Sequence, residues 1–286
     1  MLEIVDSRRR FIHRILRATA GAATGTVLYT VFVEPHWLEI THRDLPIAML
    51  PPSLEGSTVA LLTDLHVGPQ VSDAYLIESF RRVKALQPDF VLYGGDFITY
   101  RRKLRFPPQL GRVLQHAPHG TLGTFGILGN HDYGLNWRAY DIAAEVTRIA
   151  HESGITMLRN EVATVAGLQF AGLEDLWSYR FNAPLMFRQF DPHLPSIVLA
   201  HNPDSADEPV WSNYHGWMLS GHTHGGQCKP PFLPPPLLPV KNRRYVSGEF
   251  DLSGARRLYI SRGVGHLLQV RFNVRPEVTM FRLRSV

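Results

Sequence analysis

Seven side chains of metal-binding type fall in five short polar clusters. Asp64 and His66 flank Leu65, and Asp96 follows Gly94-Gly95. Asn130 lies in Gly129-Asn-His-Asp132, His201 precedes Asn202-Pro203, and His222 and His224 lie in Gly221-His-Thr-His. Carboxylate, amide and imidazole donors without a thiolate set suit divalent Mn, Fe, Zn or Co, and the residues do not choose among them. Seven ligands exceed the needs of one tetrahedral zinc and fit two ions sharing a carboxylate. Two ions ~3.5–4 Å apart polarise phosphoryl oxygens and generate hydroxide for in-line attack, which is phosphoester hydrolysis. Singly, each residue has a duller explanation. Asp64 or Asp96 could cap a helix, Asn130 could serve a turn, and His201 could be structural. Their joint placement argues for chemistry.

Each cluster ends a short apolar, β-prone run: residues 58–63, 90–93, 124–128, 196–200 and 217–219. Such runs, bounded by Gly and Pro, read as buried strands. Helical periodicity predicts helices over 72–87, stopped by Pro88, and over 140–153, followed by Gly154. Residues 162–173 read as a hairpin turning at Ala166-Gly167, and the tail from Leu258 adds two or three strands. The pattern is a layered α/β sandwich with mixed sheets. In open α/β sheets ligands collect beyond the carboxyl ends of strands, so the five clusters would converge there.

The chain of 286 residues is 44% hydrophobic and 19% charged, an ordinary globular balance. Its single cysteine, Cys228, excludes an internal disulfide and is best read as a small buried hydrophobe. The net charge is +5, of which residues 1–33 carry +3 through Arg8, Arg9, Arg10, Arg14 and Arg17 against Glu3 and Asp6. The remaining +2 is weak attraction for nucleic acid, which is set aside as a partner. After the basic stretch the chain is uncharged from Ala18 to Val33, short of the ~20 residues of a membrane span. Ser7-Arg-Arg-Arg-Phe-Ile12 resembles a twin-arginine export signal, with a basic helix lying on the domain or the membrane surface as the alternative. The expected division is 1–33 signal or anchor, 34–57 connecting arm and 58–286 catalytic domain. Arginines held on the cytoplasmic side would place that domain outside, on the outer face of the membrane or in the periplasm.

Taken in order, the five clusters resemble the calcineurin-like metallophosphoesterases over residues 58–286. Glu34-Pro-His-Trp37, Gly221-His-Thr-His-Gly-Gly-Gln227 and Ser261-Arg-Gly-Val-Gly265 are similar to an exported, membrane-associated branch. That branch includes phosphodiesterases with twin-arginine signals and hydrolases of UDP-diacylglucosamine. The resemblance implies a four-layer α/β/β/α sandwich of two mixed sheets flanked by helices. It implies that Asp64, His66 and His224 hold one metal, that Asp96 bridges, and that Asn130, His201 and His222 hold the other. It makes His131 the catalytic residue, touching the phosphoryl group and assisting the leaving oxygen, a role that suits an imidazole near neutral pH.

Asp132 would orient His131, contact substrate or cap the turn. Arg262, in a Gly-rich turn, is read as a phosphate contact or a structural arginine, and Asp175 as a contact behind the ligands or with substrate. Two loops should rim the site: residues 100–106, with Arg101, and 229–245, with Arg243. The second holds six prolines and mixes Phe232, Leu233, Leu237, Leu238 and Val240 with Lys229, Lys241, Arg243 and Arg244. Basic and apolar side chains together suit an anionic amphiphile or a membrane surface. The expected activity is therefore hydrolysis of a phosphodiester or pyrophosphate in a lipid- or sugar-linked substrate at the membrane. The alternatives are an esterase for soluble phosphodiesters or monoesters and, less favoured, a binding module without catalysis.

Overall fold

The structure, a computed structural model, describes residues 2–100, 106–211 and 214–286. Twelve strands among these residues form two six-stranded sheets, ordered β1-β12-β2-β3-β4-β5 and β10-β11-β9-β8-β7-β6. In the first sheet β2 (Thr58–Leu62), β3 (Phe90–Tyr93), β4 (Gly123–Gly126) and β5 (Thr156–Met157) run parallel, while β12 (Glu277–Ser285) is antiparallel to β2. In the second, β7 (Leu168–Gly172), β8 (Ser196–Leu199), β9 (Trp217–Ser220) and β11 (Arg257–Ile260) are parallel. Antiparallel β6 (Glu161–Val165) and β10 (Gly248–Asp251) close its two edges.

The central strands are apolar at consecutive positions because both of their faces are covered. Val59, Leu61, Phe90 and Leu92 pack with Phe170, Ile197, Leu199 and Leu219 between the sheets. Their neighbours Ala60, Leu62, Val91 and Tyr93 turn to the helices α2 (Asp73–Lys84), α3 (Phe106–Leu114) and α4 (Tyr140–Glu152). Outside the second sheet, Val198, Met218, Leu258 and Ile260 meet Ala183 and Met186 of α5 (Ala183–Phe187) together with Trp211 and Tyr214. The result is four layers, α/β/β/α, as expected. The two expected helices and the hairpin form within a few residues of their sequence bounds, and Ala166 and Gly167 both take positive φ at the turn.

One segment differs from expectation. Within the 34–57 arm, Glu39–Ile47 forms β1, an edge strand parallel to β12. Pro46 suits an edge position, where no ladder partner is lost. The basic N-terminal segment is helical as α1 (Leu2–Leu28), with residues 8–28 exposed. Among the described residues no helix is long and apolar enough to cross a membrane. Just past the helix, Arg271 N donates to Thr30 O (2.9 Å) and Val274 N to the buried Glu34 carboxylate (2.6 Å).

Candidate metal centre

All seven expected ligands lie beyond the carboxyl ends of β2, β3, β4, β8 and β9, and all are buried. The sheets meet there: His222 N donates to Asp64 Oδ1 (3.0 Å), and His201 Nε2 lies 3.1 Å from Asp96 Oδ2. Two sets of converging donor atoms result, Asp64-His66-His224 and Asp96-His201-His222, each within 4.8 Å. Asp96 Oδ2 also lies 3.6 Å from His66 Nε2, so this one oxygen faces ligands of both sets.

The backbone is strained to achieve this. Asp64, His66, Asp96, His222 and His224 all have φ between +50° and +70°. Each such residue costs of order 1–3 kcal/mol and persists only where its surroundings over-determine it. Gly95, at φ +94°, leaves room: a Cβ there would fall 2.6 Å from Gly129 N and 2.8 Å from His201 Nδ1.

Hydrogen bonds aim the imidazoles. His201 Nδ1–H donates to Gly94 O (2.8 Å) and His222 Nε2–H to Pro239 O (2.8 Å), which turns the opposite nitrogens inward. Thr99 Oγ1 lies 3.0 Å from His66 Nδ1 and holds that ring in the same way. His222 Nδ1 then faces Asn130 Oδ1 at 2.9 Å, a contact between two acceptors when the ring is neutral. His66 Nε2 likewise meets His224 Nε2 at 3.0 Å. Opposed lone pairs in a buried pocket are the arrangement that cations between them would satisfy. The donor set fits a pair of divalent ions.

The electrostatics agree. Burial pushes His66 and His222 down to about 3 and His224 well below the usual histidine range. These rings are therefore neutral, the form that binds metal. Burial opposes the charge of Asp96, but the imidazoles of His201 and His131 hold its carboxyl well below the usual range. Asp64 is raised to about 6 by burial. His201 is pulled the other way: burial disfavours its charge, yet Asp96 and Asp64 raise it well above normal. Its proton is the one that a bound cation would replace.

His131 stands at the mouth, half-buried, its ring edge-on to His66 at 5.0 Å and its N–H donating to Asp96 Oδ1 (2.8 Å). Asp132 does not reach a substrate. It is fully buried, accepts Gly129 N (2.9 Å) and Ile98 N (3.1 Å), and caps the turn that carries Asn130 and His131. Arg262 is also committed elsewhere, to Glu277 (2.7 Å) and Glu39 (2.8 Å), pinning β1 to the sheet. Arg243 turns inward to Leu238 O (3.0 Å) and Pro235 O (3.3 Å) and stitches its own loop. Arg101 lies outside the described residues. Asp175 is buried behind the site; burial raises it to about 7, and its Oδ1 accepts Trp177 N at 2.8 Å.

One supporting residue had no sequence signal. Arg271, fully buried, donates to Gly265 O (2.6 Å) and Arg262 O (3.0 Å) and approaches His224 Nδ1 at 3.5 Å. It fixes the 262–265 turn, whose Gly265 N donates to Asp64 O at 2.7 Å.

Comparison with known proteins identifies this arrangement. Residues 57–226 match the family model described as calcineurin-like phosphoesterase. The chain belongs to that family. It is a metal-dependent phosphoesterase, and the family works through a binuclear divalent metal centre. It is 35% identical to the phosphodiesterase YaeI of Escherichia coli over 97% of this chain and 99% of that one. It is 31% identical to the uncharacterized metallophosphoesterase YkuE of Bacillus subtilis over 98% of each chain. The UDP-2,3-diacylglucosamine pyrophosphatase LpxG of Chlamydia trachomatis is 26% identical over 93% of this chain and 95% of that one.

Proposed function

We propose that this phosphoesterase hydrolyses phosphodiester or pyrophosphate bonds in lipid- or sugar-linked substrates at a membrane surface. The observation that carries the reading is a collar of exposed apolar side chains on the loop that follows His224 and on segments hydrogen-bonded to the start of that loop. Phe232 is fully exposed, Leu237 is 77% exposed, and Leu233, Leu268, Phe32 and Leu28 are exposed as well. Leu238 and Val240 of the same loop are buried. Three segments carry the collar, and hydrogen bonds join them. Gln227 Nε2 donates to Leu268 O (3.2 Å), Lys229 N to Phe272 O (2.9 Å) and Gln269 Nε2 to Val31 O (3.3 Å). Folding leaves this apolar surface in water, where an acyl chain or bilayer would cover it. The similarity to LpxG, a pyrophosphatase of a diacylated sugar nucleotide, supports the same substrate class.

On this reading Asp64, His66 and His224 would hold one ion, Asn130, His201 and His222 would hold the other, and Asp96 would be shared between them. The ions, when bound, supply Lewis acidity toward the phosphoryl group and toward water. His131 donates a proton to the leaving oxygen from its place at the mouth. Arg8, Arg9 and Arg10, exposed along α1, support export through the twin-arginine machinery and residence on the outer face of the membrane.

Replacing Phe232, Leu233 and Leu237 together by Ser tests the collar. A fully buried apolar side chain is worth ~1.5–3 kcal/mol, so three partly buried ones should lower kcat/KM on an acylated substrate by ~10–10³-fold. A small soluble diester should lose far less. Equal losses on both would reduce the loop to a structural role, and no loss on either would favour soluble esters.

A further inference from the structure

A second feature of the mouth has no part in holding metal. The ring of Trp177 stands edge-on to the ligand His222, with centroids 4.6 Å apart and planes at 84°. Trp137 packs on Trp177 at 4.7 Å. The two indoles thus run outward from a metal ligand as a continuous aromatic surface. Its main chain is held at both ends. Trp177 N donates to Asp175 Oδ1, and the turn bearing Trp137 is the one that begins at His131, through Gly134 N to His131 O (3.1 Å) and Trp137 N to Gly134 O (3.3 Å).

The conformation of that turn is costly. Asn136 and Trp137 have φ of +56° and +58°. A bulky residue in the left-handed region is an outlier that calls for a reason. Trp137 packs on Trp177 and yet remains 39% exposed. The strained turn thus holds a partly exposed indole against Trp177, whose own ring meets the ligand His222. Next to it Arg138 lies over the Tyr179 ring at 4.2 Å and donates to its hydroxyl, which adds positive charge to the same rim.

Resting on the phosphoesterase reading above, we propose that Trp137 and Trp177 form a stacking subsite for a planar aromatic ring of the substrate, such as a nucleobase or an aryl group, close to the phosphate being cleaved. A flat π-face accepts any such ring, so the subsite selects substrates by planarity and not by base identity. It lies apart from the apolar collar in composition, with indole and guanidinium groups in place of Phe, Leu and Pro.

Competitive inhibition of small-diester hydrolysis by two matched pairs tests it: uridine 5′-phosphate against ribose 5-phosphate, and phenyl phosphate against ethyl phosphate. Within a pair the phosphate is shared and only the ring differs. Wild-type protein should bind the ring-bearing member more tightly. Trp137→Ala should raise that member's Ki by roughly 5–150-fold, the usual worth of one stacked ring, and barely move that of its partner. Trp137→Phe should keep most of the advantage. An advantage confined to the uridine pair assigns the subsite to nucleobases, and one confined to the phenyl pair assigns it to aryl groups. No advantage in either pair, an advantage that survives Trp137→Ala, or equal loss for both members of a pair in Trp137→Ala and in Trp137→Phe overturns the proposal. Ribose 5-phosphate and ethyl phosphate report the metal site alone, so a failure of the phosphoesterase reading appears in those arms.

Discussion

Asp96→Asn should lose at least ~10³-fold in hydrolysis, because an amide oxygen cannot carry the charge needed between two cations. The carboxylate Oδ2 of Asp96 sits 3.6 Å from His66 Nε2 and 3.1 Å from His201 Nε2, so its replacement affects both ligand sets. Metal content, measured by elemental analysis, should fall with the rate. The fold should survive, since an amide of equal size can still accept the His131 N–H now donated to Asp96 Oδ1. Full occupancy with a near wild-type rate would remove Asp96 from the bridging position.

His131→Ala separates chemistry from binding. The His131 side chain lies in neither converging set and faces the edge of the His66 ring from the mouth. Both metals should therefore remain, while kcat falls by ~10²–10⁴, the usual worth of a positioned general acid. The loss should shrink for esters whose leaving alcohol is already acidic, because they need no proton. Loss of metal from this variant would make His131 a ligand.

The ligands were legible in the sequence for a physical reason. A strand buried on both faces must be apolar throughout, so the abrupt change at Asp64, Asp96, Asn130, His201 and His222 marks the point where the chain leaves the sheet. What sequence could not reveal depends on chain crossings. Arg262 looked available for phosphate, but its partners Glu277 and Glu39 arrive from β12 and β1. For Asp132 the sequence left a substrate contact, an orienting role and a turn cap open, and the backbone N–H groups of Gly129 and Ile98 draw its carboxylate inward as the cap. Glu39–Ile47 reads as part of an arm because Pro46, Pro51 and Pro52 punctuate the stretch, and pairing with β12 makes it a strand. The groups that orient the imidazoles, Thr99 Oγ1 and the carbonyls of Gly94 and Pro239, act through geometry that no motif spells out. Nor does composition reveal that five ligands pay in backbone strain for their directions.

The central claim is that two ions act together at one centre. It is tested most directly by stripping the chain of metal, adding back manganese or zinc in measured increments, and following both bound metal and hydrolysis of a small diester. Activity should stay low through the first equivalent and reach its plateau at two ions per chain. Full activity at a single bound ion per chain would contradict the claim, whatever the substrate proves to be.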